Sequence, residues 1–372
     1  VEQARRNLVL IILFILAFGL LMLNSAGLPV AKYRYGDSLY FLRSQALRIV
    51  LGLLLMLVVS RIDYRRYRPV AKPLLLFSAV LLLIPLLPFT RSITPLMRHV
   101  RRWIVFPFTF QPSEVAKFAL VLWGAVTILN KGSKIREFRD GVLPLFIVMT
   151  MIVVLVVLEP DLSTAILCFS ISILLLFLGG ARVHHIALCC VIFLLGSLWV
   201  IHLTGYQLER IMAMLNPSEG LLKGNYQRHQ AMIALGSGGT FGRGIGNGLQ
   251  KYFFLPESHT DSIFAVIGEE LGLVGTVGVL LLFALLGFYG YKIMSMCPDP
   301  FGFLLVGGIL SMVMIPVILS AAINVGLLPS AGVGLPFISY GGSSMVTLLG
   351  SIGVIINVAR KGKGRGMMER RT

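Results

Sequence analysis

Ten long apolar runs decide what this chain can become. They lie near residues 8–28, 45–60, 70–90, 115–130, 142–158, 164–180, 186–204, 262–290, 303–323 and 343–359. Most approach the roughly 17–25 residues that cross a bilayer as an α-helix. The 45–60 run is short, so sequence sets its ends only loosely. Period-two alternation is absent and the runs are too long for barrel strands, so the backbone must satisfy its polar groups inside each segment, as helices do. Composition agrees, since only 13% of the 372 residues are charged against about 25% in an ordinary soluble domain. The expectation is one all-α polytopic membrane domain over 1–372 with ten transmembrane helices. Within it, a large extracytoplasmic loop, 205–261, joins helices seven and eight, and a basic tail, 360–372, ends the chain.

Orientation follows from where Lys and Arg fall. With the N-terminus inside, the cytoplasmic side receives 19: Arg5 and Arg6, the RIDYRRYR loop with Lys72, the KGSKIREFR loop, Arg182, Lys292 and the RKGKGRGMMERR tail. The other side receives 12, five of them in the long 205–260 loop where the rule has little force, so the short loops stand at 19 to 7. Both termini are expected in the cytoplasm. The first run, preceded by Arg5 and Arg6, is long enough to remain as a span. The net charge of +17 is then accounted for by topology and by anionic lipid, without a nucleic-acid partner. Cys168, Cys189, Cys190 and Cys297 show neither a disulfide framework nor metal-ligand spacing.

Polar chemistry gathers on the outer face, in RRWIVFPFTFQPSEVAK (101–117), EPDLST (159–164), the 225–261 loop and LPFISYGGSS (335–344). Ser113 is placed to cap the fourth span, while Glu114 suits the helix dipole and forms an i,i+3 pair with Lys117. These charges read equally as a helix-start ion pair or as functional groups just inside a membrane. Arg101 and Arg102 beside Trp103 read as an interfacial anchor or as a phosphate clamp. In EPDLST, Pro160 fits a first helical turn, with Asp161 or Glu159 serving that N-terminus. The segment GSGGTFGRGIGNG (236–248) holds seven glycines in thirteen residues but lacks both GxxxxGK[ST] and GxGxxG. Its glycines suit tight turns and close backbone approach, and its amides can form an anion nest.

FLPESHTDSIFAVIGEELG (254–272) carries four carboxylates. Asp261 stands where loop becomes span and reads as a helix N-cap or as a reactive group. Glu269 and Glu270 lie eight and nine residues further, roughly 12–14 Å deeper. At that depth they must face the interior, pair or be protonated. Gly268 and Gly272 form a GxxxG, which favours a packing role for the deeper pair.

Taken together, RRWI with QPSEVAKF, EPDLST, NYQ-x-x-Q with IALGSGGTFGRGIGN-x-x-QK, LPESHTD with GEELG, and LP-x-x-SYGGSS resemble the SEDS family of cell-wall polymerases, the FtsW, RodA and SpoVE group. The resemblance covers nearly the whole chain, and the 246–272 run is most similar to the FtsW branch. It implies a peptidoglycan glycosyltransferase that polymerises lipid II, a disaccharide carried on undecaprenyl diphosphate, at the outer face of the cytoplasmic (inner) membrane during division. It implies Asp261 as catalytic base, with Glu114, Lys117, Arg101, Arg102, Arg210, Gln227, Gln230, His259 and Ser339 contacting substrate. Its implied partners are a class B penicillin-binding transpeptidase and other division proteins. A divalent cation beside the diphosphate is compatible with this chemistry, but no ligand cluster in the sequence establishes one. The chain departs from the family pattern at Arg98, His99 and Val100, at Phe106-Pro107, in INVGLLPSAG, and at HTDSIF where HTDFIF is usual.

Three other readings stand beside this one. A flippase for lipid II would need polar residues through both halves of the bilayer, yet runs one, three, six and seven hold essentially no charge between their ends. A RodA-like elongation or sporulation polymerase would share the chemistry and differ in where it acts. A pure scaffold would not need carboxylates at the mouth of the bundle.

Overall fold

Each of the ten apolar runs contains a helix in the computed structural model, which describes residues 1–87, 90, 94, 101–105, 109–204 and 223–361. The first is α1 (Glu2–Tyr35), stopped by Gly36 in the left-handed conformation at φ 66°, where a residue without Cβ is at ease. The helix α2 (Tyr40–Arg61) extends the short 45–60 run at both ends. Asp63 then accepts from the Arg65 N–H and opens a 3-10 turn, Tyr64–Tyr67. The next helix, α3 (Ala71–Leu83), is shorter than its 70–90 run, because Pro85 carries the chain into a 3-10 turn. A two-residue hairpin, β1 (Ile104–Val105) and β2 (Thr109–Phe110), pairs Ile104 with Phe110 and Val105 with Thr109.

The chain continues through α4 (Pro112–Lys131), α5 (Leu143–Leu158), α6 (Leu162–Leu178) and α7 (Val183–Thr204). An eighth helix, α8 (Lys223–Gly238), lies in what the sequence reads as loop. It buries Ala231 and Ala234 against the bundle, and its many polar residues hide it from a search for apolar runs. The last three are α9 (Ile263–Ser295), α10 (Pro300–Asn324) and α11 (Ser343–Lys361). Among the described residues eight helices are long and apolar enough to cross a membrane, while α3 with its extension and α6 are shorter.

The two ends of burial are α10 and α7. In α10 and α11, 72% of the most apolar stretch is buried, against 11% in α7, so the former are central and the latter peripheral. α2 lies along α11 in close contact, and at Gly353 an added Cβ would come within 2.6 Å of the Met56 carbonyl oxygen. Outward-facing leucines such as Leu47, Leu54, Leu194 and Leu195 make an apolar girdle of a kind that lipid covers.

One end of the bundle is fastened by polar contacts. Asn357 accepts from the Tyr64 N–H at 2.9 Å and donates to the Ser60 carbonyl at 2.8 Å. The Tyr64 hydroxyl donates to Asp299 at 2.9 Å, and Arg68 joins the same carboxylate at 3.2 Å. Burial and the Asp299 charge push the Tyr64 phenol up. At the opposite end the N-termini of α2, α4, α6, α9 and α11 come together.

Candidate functional site

Pro112 at N1 fixes the start of α4, with Gln111 in the cap position and no side-chain cap bond. Ser113 therefore does not cap the helix as expected; it is fully buried and its Oγ has no hydrogen-bond partner among the described residues. One turn into the helix, Lys117 Nζ sits 2.9 Å from Glu114 Oε1, both side chains buried. The second Glu114 oxygen is buried without a partner.

Asp161 caps α6, accepting from the Thr164 N–H at 3.1 Å. Pro160 precedes that cap rather than entering the first turn. The other Asp161 oxygen takes Arg102 Nη1 at 2.9 Å and Gln111 Nε2 at 3.3 Å. The Arg102 charge is thus paired and held in place, and Arg101 beside it is half-buried. Glu159 is 1% exposed and both its carboxyl oxygens lack hydrogen-bond partners among the described residues. Burial first, then the Asp161 charge, raises it from 4.5 to about 9, with Arg102 opposing, so at neutral pH it is a protonated acid.

Asp261 closes a run of tight turns just before α9, whose cap position is Ser262 and lacks a side-chain cap bond. Three consecutive carbonyls here are held by distant residues. The Tyr340 N–H donates to the His259 carbonyl at 2.9 Å, the Ser339 hydroxyl to that of Thr260 at 2.6 Å, and Asn324 Nδ2 to that of Asp261 at 3.2 Å. Gln227 on α8 donates to the Ser262 hydroxyl at 3.1 Å. His259 stacks on Phe41 at 4.4 Å. A Cβ at Gly332 would stand 3.5 Å from Asp261 Oδ2, so the carboxylate faces the 330–334 loop.

These contacts join motifs far apart in sequence. Gln111 donates its N–H to Ser343 at 2.9 Å, linking QPSEVAK and EPDLST to SYGGSS, and Ser339 and Tyr340 link SYGGSS to LPESHTD. Gln45 on α2 donates to the Ser339 carbonyl at 3.2 Å. Gln111, Asn324, Gln45 and Arg48 go beyond the sequence reading. Only Arg48 carried a signal, a charge inside an apolar run.

Glu269 and Glu270 do find partners, in the end of the glycine segment, the residues just after it and α1. Glu270 meets Lys251 Nζ at 2.6 Å, accepts from the Ser25 hydroxyl at 2.6 Å, and takes the Gly246 N–H at 3.0 Å. Glu269 accepts from the Leu249 and Gln250 N–H groups at 2.8 and 3.1 Å. The anions held by the backbone N–H groups of Gly246, Leu249 and Gln250 are thus the protein's own carboxylates. Gly272, at φ 68° and ψ −162°, interrupts α9, and the segment enters that break. An added Cβ there would collide with Gly242 N and Thr240 O, and one on Gly268 with Leu235 of α8. The GxxxG therefore serves close packing, against α8 and the loop.

Of the expected substrate contacts, Ser339 and Gln227 are engaged in holding the Asp261 turn, and Gln230 is half-buried on α8. Arg210 lies outside the described residues, as do the departures at 98–100 and 106–107. Among the described residues, no three His, Cys, Asp or Glu side chains cluster as metal ligands.

Comparison with known proteins bears on this geometry. A family model described as cell cycle protein, FTSW_RODA_SPOVE, matches residues 5–364. The chain is 37% identical to the probable peptidoglycan glycosyltransferase FtsW of Geobacter metallireducens, over 98% of this chain and 97% of that protein. It is 36% identical to stage V sporulation protein E of Bacillus subtilis, over 95% and 96%. Among solved structures it is similar to a chain of a peptidoglycan synthase complex in which polymerization and crosslinking are coordinated, with a TM-score of 0.78 at 28% identity over 96% of this chain and 98% of that one. The rod shape determining protein RodA of Thermus thermophilus matches with a TM-score of 0.70 at 27% identity, over 96% of each chain.

Proposed function

This chain belongs to the FtsW/RodA/SpoVE family, and on that premise we propose that it is a peptidoglycan glycosyltransferase of the FtsW type that polymerises lipid II. The acceptor hydroxyl attacks the anomeric carbon of the donor sugar and loses its proton to Asp261. The bond from that carbon to the diphosphate oxygen breaks, and its electron pair leaves with the diphosphate. A base in this role needs a fixed position and partial shelter from water. The observation that carries the reading is the Asp261 turn, half-buried and held at three successive carbonyls by α10 and the SYGGSS segment. Lys117, held by Glu114, and Arg102, held by Asp161, line the approach as oriented charges, while Arg101, Gln230, His259 and Arg210 complete the set of substrate contacts. Ser339 and Gln227 serve by holding the turn.

The proposal includes ten crossings of the bacterial inner membrane, both termini in the cytoplasm and the Asp261 end outside. The gathering of alternate helix starts at one end supports it, as does the 19 to 7 charge bias. The partner is a class B penicillin-binding transpeptidase at the division septum, a reading supported by the similarity to a synthase-complex chain.

The test is purified protein given lipid II, alone and with the transpeptidase, with glycan products resolved on gels. Polymer in either condition supports the reading. Its absence in both, with lipid II moving between leaflets of proteoliposomes, would transfer the site to a flippase.

A further inference from the structure

A departing diphosphate calls for a cation, and several at this end already have carboxylate partners: Arg102 with Asp161, Lys117 with Glu114, and Arg43 with Asp37 at 3.2 Å. Arg48 has none. It lies on α2 eight residues after Tyr40, roughly 12 Å along the helix. Its guanidinium carbon stands 4.6 Å over the Tyr340 ring, and its Nη1 is buried without a hydrogen-bond partner among the described residues. A cation in such a span is costly to keep, and an aromatic face offsets only part of that cost. The arrangement calls for an anion.

The surroundings indicate which kind. A Cβ on Gly342 would lie 3.5 Å from Arg48 Cζ, Arg48 Nε and the Thr109 carbonyl oxygen, so the guanidinium borders the glycine turn that leads into α11. Tyr340, beneath it, is the residue whose N–H holds the His259 carbonyl. Arg48 is therefore one residue removed from the turn that carries Asp261. Its neighbours on α2, Leu47 and Leu51, face outward at 58% and 47% exposure, an apolar flank along which a lipid chain can lie.

We propose that Arg48 is a substrate-binding residue that takes a phosphate group of a polyprenyl diphosphate, an inference that rests on the glycosyltransferase reading of the same site. The planar fork of a guanidinium matches phosphate oxygens in a way that an ammonium does not. Arg48 meets the charged headgroup while the apolar flank of α2 takes the tail.

The probes are undecaprenyl diphosphate, undecaprenyl monophosphate and phosphatidylglycerol, titrated against wild-type protein, Arg48→Gln and Arg48→Lys in detergent, alongside the KM for lipid II. Arg48→Gln should weaken binding of undecaprenyl diphosphate about 10- to 100-fold and raise KM comparably while leaving most of kcat, with Arg48→Lys in between. Unchanged binding and KM in a polymerising Arg48→Gln protein overturns the inference and leaves the polymerase reading intact. If the wild type does not polymerise, that reading fails, while an Arg48-dependent preference for the diphosphate still supports the site. Equal weakening toward phosphatidylglycerol overturns the diphosphate assignment in favour of a general anionic-lipid contact. Should neither variant fold, phenylglyoxal modification of wild-type Arg48, read by mass spectrometry, should fall when undecaprenyl diphosphate is added, and unchanged modification overturns the proposal.

Discussion

Asp261→Asn separates a base from a cap. Ser262 holds the cap position of α9, and Asn would cap about as well as Asp in any case, so the fold should survive. Turnover should fall roughly 10²–10⁴-fold, measured as glycan polymerisation beside thermal stability on one preparation, and near-normal polymerisation would remove Asp261 from the mechanism. Glu114→Gln and Lys117→Met should each lower activity, with the double change milder than the sum because each single change strands a buried charge. Additive losses would mean the two do not act as a pair. Glu159 gives a pH test. Its acid is raised from 4.5 to about 9, so the folded state binds a proton that the unfolded state releases, and this contribution is complete below pH 4.5 and lost as pH rises toward 9. Glu159→Gln should therefore raise Tm at pH 9 and change it little at pH 4; equal shifts at both would show no such titration. Asp261, Glu114 and Lys117 were legible in the sequence because charge beside an apolar run is conspicuous. Gln111 and Asn324 were not, since a lone amide becomes informative only when its partner, 50 or 63 residues away, is known.

The helix α9 shows where pattern and geometry part. Its apolar run was plain, and so was the puzzle of two carboxylates within it, but the break at Gly272 was not, because a glycine in an apolar run looks the same whether it packs or bends. Gly272→Ala should lower stability by at least about 2 kcal/mol, combining a strained backbone with a collision against Gly242 and Thr240. Gly278→Ala, with nothing within 4 Å of the added Cβ, is the control and should be neutral or stabilising. Equal melting temperatures in detergent for the two variants would argue that α9 is continuous. Glu270→Gln should cost about 3–5 kcal/mol by leaving Lys251 buried and unpaired, with much of the loss recovered on adding Lys251→Met. α8 escaped notice for a related reason, since its polar residues hide the small face it buries.

For the molecule as a whole, the all-helical membrane class was plain, and among the described residues eight helices have spanning length with two shorter apolar ones beside them, because hydrophobic length is the property a bilayer reads and sequence displays it directly. Sidedness is the part still to be measured. A cysteine at Phe241, 82% exposed, should label from outside intact spheroplasts, whereas one at Arg139 should label only after permeabilisation. The reverse pattern would invert the protein and move Asp261 to the cytoplasm. How the sites were assembled was far less legible, because the contacts that hold the carbonyls of residues 259–261 cross between segments distant in the chain. That separation has a consequence for biosynthesis. The groups that clamp residues 259–261 come from Asn324, Ser339 and Tyr340, so a ribosome that has delivered every acidic residue of the site has not yet delivered what holds the proposed base in place. On the proposed mechanism, a protein cut short before Ser339 would keep Asp261 and lose the contacts that place it, and with them the activity.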